Sequence, residues 1–104
     1  MSRFNERNKF LDYVFKNEGI FSDKFEEYFL EVYTTAKEKK VQIYEVARRR
    51  FRKKENYIYS CVMMRISPAT YYRLLNIFFR IAEHKAEKFF KINENENRIK
   101  IELI

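Results

Sequence analysis

The sequence predicts an all-α fold: a compact bundle of about five helices, with a helix-turn-helix near its C-terminal end and a short tail with a β-like pattern. Three observations predict this fold. The 104 residues include one Gly and one Pro, so few positions interrupt a helix. Apolar residues recur at helical spacing along most of the chain. Aromatic residues make up 18% of the chain, which argues against disorder. We expect one domain over residues 1–92 and a tail over 93–104.

The charge balance indicates an anionic partner. Lys and Arg number 22 against 15 Asp and Glu, which gives a formal charge of +7 and a pI near 9.5. A small basic domain most often binds nucleic acid. The first candidate partner is therefore double-stranded DNA.

Several classes of protein are disfavoured by what the sequence lacks. One Cys and one His allow no internal disulfide and suggest no metal-ligand cluster, so we expect no metal and no cofactor. No Ser-His-Asp, Cys-His or paired-carboxylate pattern stands out, and one Gly cannot form a glycine-rich phosphate loop, so we expect no enzyme. The start of the chain lacks the apolar segment of a signal peptide, and no apolar run approaches a membrane span. We expect a protein without membrane contact, in the cytoplasm of a bacterial host cell.

Two helices are predicted in the N-terminal part. The first runs from Arg3 to about Asn17, and Gly19 follows it, where a helix end favours a left-handed residue. The second begins after Ser22, a good N-cap. It carries an apolar stripe of Phe25, Tyr28, Phe29, Val32 and Ala36.

A third helix is predicted from Val41 to Lys54, and its C-terminal end is strongly basic. Its inward residues are expected to be Val41, Tyr44, Ala47 or Val46, and Phe51. A basic helix end can simply be solvated, because positive charge is favourable there. It can also bind phosphates, and the density of charge favours this interpretation. The candidate phosphate-binding residues are Arg48, Arg49, Arg50, Arg52, Lys53 and Lys54.

The helix-turn-helix is predicted at about residues 55–84. A short helix over Tyr57–Met64 leads into a turn at Arg65–Ile66, and Cys61 is a small residue where the two helices would cross. Ser67 is a good N-cap for the second helix. Pro68 then takes the first helical position, where its missing N–H costs nothing.

The second helix has two distinct faces when its residues are placed at about 100° each. The inward arc contains Tyr71, Leu74, Leu75, Ile77, Phe78, Phe79, Ile81 and Ala82. The opposite arc contains Ala69, Tyr72, Arg73, Asn76, Arg80, Glu83 and His84. Arg suits guanine edges, Asn suits adenine edges, and hydroxyls suit bases or phosphates. Tyr72, Arg73, Asn76 and Arg80 are therefore candidates for base contacts, although a core helix with a solvated outer face would show the same pattern.

The tail has a different sequence pattern from the helical part of the chain. Residues 98–104 alternate polar and apolar side chains, which predicts a half-buried strand. A single strand is unstable, so it would pair with residues 89–92 as a hairpin or with the same segment of a second chain.

Residues from about Phe51 to His84 resemble the C-terminal helix-turn-helix of phage late-gene transcription regulators of the RinA and ArpU type, which are similar to region four of bacterial sigma factors. The matching residues are Phe51, Lys53-Lys54-Glu55, Cys61, Ile66-Ser67, Thr70-Tyr71-Tyr72-Arg73-Leu74 and Ile81-Ala82-Glu83. The resemblance implies that Tyr71 lies in the core and that Ser67, Thr70, Tyr72 and Arg73 lie at the DNA. Thr70 thereby joins the base contacts and Ser67 the phosphate contacts. The resemblance also implies a promoter that drives packaging or lysis genes.

The sequence thus predicts a DNA-binding transcriptional regulator of phage or phage-derived origin. The alternative is a protein-interaction module that binds and inhibits a phage or host transcription component, as a phage-satellite interference protein would. The apolar arc of the last helix is wider than one packing partner covers. We therefore expect a homodimer or a tight protein partner, bound through the apolar surface of the N-terminal helices, the last helix or the tail. RNA polymerase or another transcription protein is a candidate partner.

Overall fold

The computed structural model describes residues 6–95 and 98–103. The helical domain is all-α, as predicted, and a two-stranded hairpin follows it. In chain order its elements are α1 (Glu6–Lys16), α2 (Glu18–Lys39), α3 (Val41–Ala47), a π-helical turn (Arg48–Arg52), α4 (Tyr57–Met64), α5 (Pro68–Ala86), β1 (Phe90–Asn95) and β2 (Arg98–Leu103). The strands are antiparallel, and Ile92 lies opposite Ile101. The predicted start of the first helix at Arg3 lies outside the described residues.

The boundary between α1 and α2 differs from the prediction. Only Asn17 separates the two helices, and Ser22 lies inside α2 and does not begin it. Gly19 also lies inside α2 and does not have a positive φ, so it is not a left-handed helix end. The irregular position is Phe25, where φ −125° and ψ 20° kink the helix. Phe25 is buried, and tertiary packing of this kind can override a local preference such as that of Gly19.

The predicted third helix consists of two different pieces. α3 ends at Ala47, and the π-turn (residues 48–52) follows with a hydrogen bond from the Lys53 N–H to the Arg48 carbonyl. The prediction that Val41 points inward is wrong, because Val41 is 62% exposed. α3 begins at Val41, directly after the extended residue Lys40, and this starting position determines which side chains face the core. The buried side chains of this segment are Ile43, Val46, Ala47 and Phe51.

Phe15 joins the elements into one core. This α1 ring lies 5.0 Å from Phe29 of α2, 5.5 Å from Phe51 of the π-turn and 5.1 Å from Phe78 of α5. Such ring pairs add about 0.5–1.5 kcal/mol each beyond the burial of their area. The predicted stripe of α2 is buried in the same core, and the Tyr28 hydroxyl donates to the Ala82 carbonyl at 2.7 Å.

The two predicted faces of α5 are confirmed. Tyr71, Leu74, Leu75, Phe78, Phe79 and Ala82 are buried, and Ile77 and Ile81 are half-buried. On the other side Ala69, Arg73, Arg80 and His84 are exposed, while Tyr72, Asn76 and Glu83 are half-buried. The core therefore holds α5 by one side and leaves a polar side outward.

Candidate nucleic-acid interface

A three-residue turn connects α4 to α5, and its backbone geometry is well defined. Arg65 is left-handed, with φ 57°. The Ile66 N–H donates to the Cys61 carbonyl at 3.0 Å, and the Arg65 N–H donates to the Val62 carbonyl at 3.2 Å. These two bonds form a Schellman motif, which ends α4. The Ser67 hydroxyl then accepts from the Thr70 N–H at 3.1 Å, so Ser67 is the N-cap that the sequence predicted for α5.

The outer face of α5, which we define as Ala69, Tyr72, Arg73, Asn76 and Arg80, borders one shallow depression together with Pro68 and Ile77. Arg73 and Arg80 are exposed, and Tyr72 is half-buried. The structure therefore brings four of the five predicted base contacts to one surface. The fifth, Thr70, is half-buried in the first turn, and its hydroxyl accepts from the Ser67 hydroxyl at 3.1 Å.

Asn76 already has a partner within the fold. The Asn8 amide of α1 donates to Asn76 Oδ1 at 3.1 Å. An adenine contact uses both the oxygen and the nitrogen of an Asn carboxamide. The bond to Asn8 occupies one of the two lone pairs of Asn76 Oδ1, so an adenine contact would use the other lone pair together with the Asn76 nitrogen.

Arg50 of the basic run is bound inside the protein. Its Nε donates to Asp12 Oδ1 at 2.8 Å, and a second nitrogen lies 3.3 Å from Oδ2. A third contact, at 3.4 Å, reaches the Tyr71 hydroxyl. Burial alone would lower the pKa of Arg50, but the hydrogen bonds to Asp12 and Tyr71 outweigh it and raise the pKa. Arg50 thus connects the π-turn to α1 and α5.

Glu55 forms hydrogen bonds and ion pairs with two further residues of the basic run, Arg49 and Lys53. Its carboxylate accepts from Arg49 at 3.0 Å and from the Ser60 hydroxyl at 3.0 Å, and Lys53 Nζ lies 3.2 Å away. Burial alone would raise the pKa of Glu55, but the hydrogen bonds from Arg49, Lys53 and Ser60 lower it. Arg49 is only 12% exposed, so it is held in this network.

The remaining basic residues are more accessible. Arg48 donates to Glu45 at 2.9 Å within the same helical segment. The Arg52 guanidinium lies 3.8 Å from the centre of the Tyr33 ring and 3.6 Å from a Glu18 oxygen. The Lys54 ammonium donates to the Lys16 carbonyl at the end of α1. Four residues, namely Arg48, Arg52, Lys53 and Lys54, retain enough exposure to meet a phosphate, whereas Arg49 and Arg50 are engaged by carboxylates of the fold.

The outward side of α4 is apolar, which the sequence analysis missed. We define the α4 apolar face as Ile58, Tyr59, Val62 and Met63, which are 51–68% exposed. The spacing i, i+1, i+4, i+5 places these residues on one side of a helix. The signal in the sequence is the nearly continuous apolar run of residues 57–64, whose opposite side already supplies the core contacts.

No family model matches the chain, and neither a curated protein nor a solved structure matches it. Among the described residues, none of the helices combines the length and the apolar character that a membrane-spanning helix needs. In the same part of the chain, no group of three or more His, Cys, Asp or Glu side chains could hold a metal ion.

Proposed function

We propose that this chain is a phage or phage-derived DNA-binding transcriptional regulator of late genes, with α5 as its recognition helix. The observation that carries the proposal is the outer face of α5. Its arginines are exposed while the other side of the helix is buried. The short turn from α4 and the net charge of +7 support the proposal further, because DNA-binding helix-turn-helix proteins place such a helix in the major groove.

The position of each side chain along α5 suggests its role. Recognition helices contact bases mainly through their N-terminal residues, and Tyr72 and Arg73 lie in the second turn of α5. Arg80 lies seven residues further, which is about 10 Å along the axis. A major groove is about 12 Å wide. We therefore assign base contacts to Tyr72 and Arg73 first, with Thr70 beside them, and place Arg80 at the edge of the groove.

Arg73→Ala tests this assignment. A duplex selected from a random-sequence pool by the wild-type protein is the specific probe, and the unselected pool is the reference. The variant should lose about 1–3 kcal/mol on the selected duplex and less on the pool. Fluorescence anisotropy at fixed salt measures both affinities.

Arg73→Lys is the matched control, because it retains the charge and loses the planar fork that pairs with guanine. It should lose preference for the selected duplex while its affinity for the pool changes little. If Arg73→Ala weakens binding equally on both probes, Arg73 contacts phosphate and reads no base.

The α4 apolar face favours a second candidate function, in which the chain binds and inhibits a phage or host transcription protein. A contiguous apolar patch on a small protein often marks an interaction surface. Purified bacterial RNA polymerase is the probe. Val62→Gln should weaken binding of the polymerase, whereas Leu30→Gln, at a residue of similar exposure on α2, should not. Equal binding by both variants and wild type would remove α4 from this role.

A further inference from the structure

A cleft beside Tyr72 lies outside the outer face of α5. It forms where the end of α1, the segment after the π-turn and the start of α4 meet α5. Its lining includes Lys16, Arg50, Lys54, Glu55, Tyr57 and Tyr72. Tyr72 also borders the depression on the outer face of α5, so this cleft (the Tyr72 cleft) adjoins the proposed DNA-reading surface.

The cations of the Tyr72 cleft are only partly neutralised. Asp12 forms ion pairs with two of these cations, at 2.9 Å from Lys16 Nζ and 2.8 Å from Arg50 Nε. Glu55, the carboxylate in the lining, is bound by Arg49 and Lys53. In the described structure the Lys54 ammonium has a carbonyl acceptor and no carboxylate within ion-pair distance. The cleft is therefore positive overall and also contains two tyrosines, whose rings lie 5.7 Å apart.

The backbone holds Lys54 in an unusual position. Its φ is 58°, a left-handed conformation that few residues other than Gly, Asn and Asp adopt. Lys54 is the second residue after the π-turn, a type of distortion that is frequent at functional sites. Backbone strain of this kind persists where the surrounding structure fixes it, and it clusters at binding and catalytic sites. In this conformation the Lys54 ammonium reaches the Lys16 carbonyl at the end of α1, and both lysines line the cleft.

We infer that the Tyr72 cleft binds one phosphate group of a DNA backbone, through the ammonium groups of Lys16 and Lys54 and the hydroxyl of Tyr57 or Tyr72. This inference rests on the proposed DNA-binding function and adds Lys16 and Tyr57 to it. Contacts to phosphate fix the register of a protein on the duplex. A phosphate beside Tyr72 would fix the outer face of α5 against the neighbouring bases.

The test uses the full chain and the double variant Lys16→Gln/Lys54→Asn (the cleft variant). Asn tolerates the left-handed conformation, so the second change removes the charge and keeps the backbone. The control for lost charge alone is Lys39→Gln/Lys40→Gln, at two exposed lysines, because it removes the same number of charges away from the cleft. Anisotropy with a random-sequence duplex gives the slope of log affinity against log salt. The slope should become flatter by about 0.9 in the cleft variant, the value for one phosphate, and should not change in the control.

A second measurement separates a backbone phosphate from free phosphate. Inorganic phosphate is titrated into isotopically labelled protein while amide NMR shifts are recorded. The amide signals at positions 54 and 57 should shift in the wild type and should not shift in the cleft variant. If the wild type binds duplex DNA and the cleft variant keeps its slope, the cleft inference is overturned. If the wild type binds no duplex but phosphate still moves these amides, the DNA-binding proposal fails and the cleft is a site for free phosphate. If neither probe binds, both fail.

Discussion

Arg50 joins three helical elements through one guanidinium group. It belongs to the π-turn, pairs with Asp12 of α1 and contacts the Tyr71 hydroxyl of α5. Both side chains of the ion pair are mostly buried, with 14% and 12% of their surface exposed. Removing one partner of such a pair leaves the other charge buried without compensation. Arg50 is therefore a structural residue of the fold.

Arg50→Ala should lower the free energy of unfolding by about 3 kcal/mol, the low end for one partner of a buried pair. The low end applies because Lys16 still pairs with Asp12. Urea denaturation measures the loss. Arg48→Ala is the matched control, since its pair with Glu45 is about one-third exposed and should contribute about 0–1 kcal/mol. Equal losses in the two variants would contradict the structural role of Arg50.

The sequence could not indicate which basic residues remain accessible. Local spacing identifies Glu45 as a partner of Arg48, because the two lie three residues apart on one helix. Asp12 lies 38 residues from Arg50, and only the packing of α1 on the π-turn brings them together. Asn8 and Asn76 are 68 residues apart. The composition of a basic run thus predicts charge density, while the fold decides how much of it faces outward.

Among the elements, α4 and α5 were the most predictable from sequence. Ser67 and Pro68 mark the start of α5, and its apolar spacing gives the buried side. The junction of α1 and α2 was less predictable. Gly19 and Ser22 both resemble helix boundaries, yet both lie inside α2. A local cap signal is worth about 1 kcal/mol, and burial of one aromatic side chain such as Phe25 exceeds it, at about 1.5–3 kcal/mol.

The turn between α4 and α5 contains a non-Gly residue where Gly is preferred. Arg65 has φ 57° and occupies the left-handed position of the Schellman motif. Arg65→Gly should raise the free energy of unfolding by up to about 1 kcal/mol. Gly avoids the steric cost of the left-handed conformation, about 1–2 kcal/mol, but loses about 0.5–1 kcal/mol more chain entropy on folding. Thermal unfolding measures the change. Arg65→Ala is the control for the lost side chain and should give no gain. A loss of stability in Arg65→Gly would show that contacts of the Arg65 side chain outweigh the backbone strain.

Across the whole molecule, the helical domain presents two different surfaces. The outer face of α5 carries exposed arginines, whereas the α4 apolar face carries four large apolar side chains. The wide apolar arc of α5 predicts a partner chain on the apolar surface of the N-terminal helices, the last helix or the tail. In the structure the apolar side of α5 is covered by Phe15, Phe51 and neighbouring rings. The apolar side chains that remain exposed side by side lie on α4. The sequence alone could not show that α4, and not α5, keeps an exposed apolar side, because both helices have enough apolar residues to be buried.

The two surfaces should respond to salt in opposite directions, and this is the prediction at the scale of the whole molecule. Binding of DNA releases counterions, so its affinity should fall as salt rises. We expect the protein to dimerise through the α4 apolar face. Two chains of charge +7 repel each other, and salt screens this repulsion over about 10 Å at 0.1 M. The dimer fraction should therefore rise over the same range of salt in which DNA binding weakens. Sedimentation velocity of the free protein at increasing salt measures the dimer fraction.

Val62→Gln should abolish the dimer, whereas Leu30→Gln should leave it intact. A monomer at every salt concentration would exclude the second copy and leave the α4 apolar face to a different protein, while the DNA-binding proposal would stand.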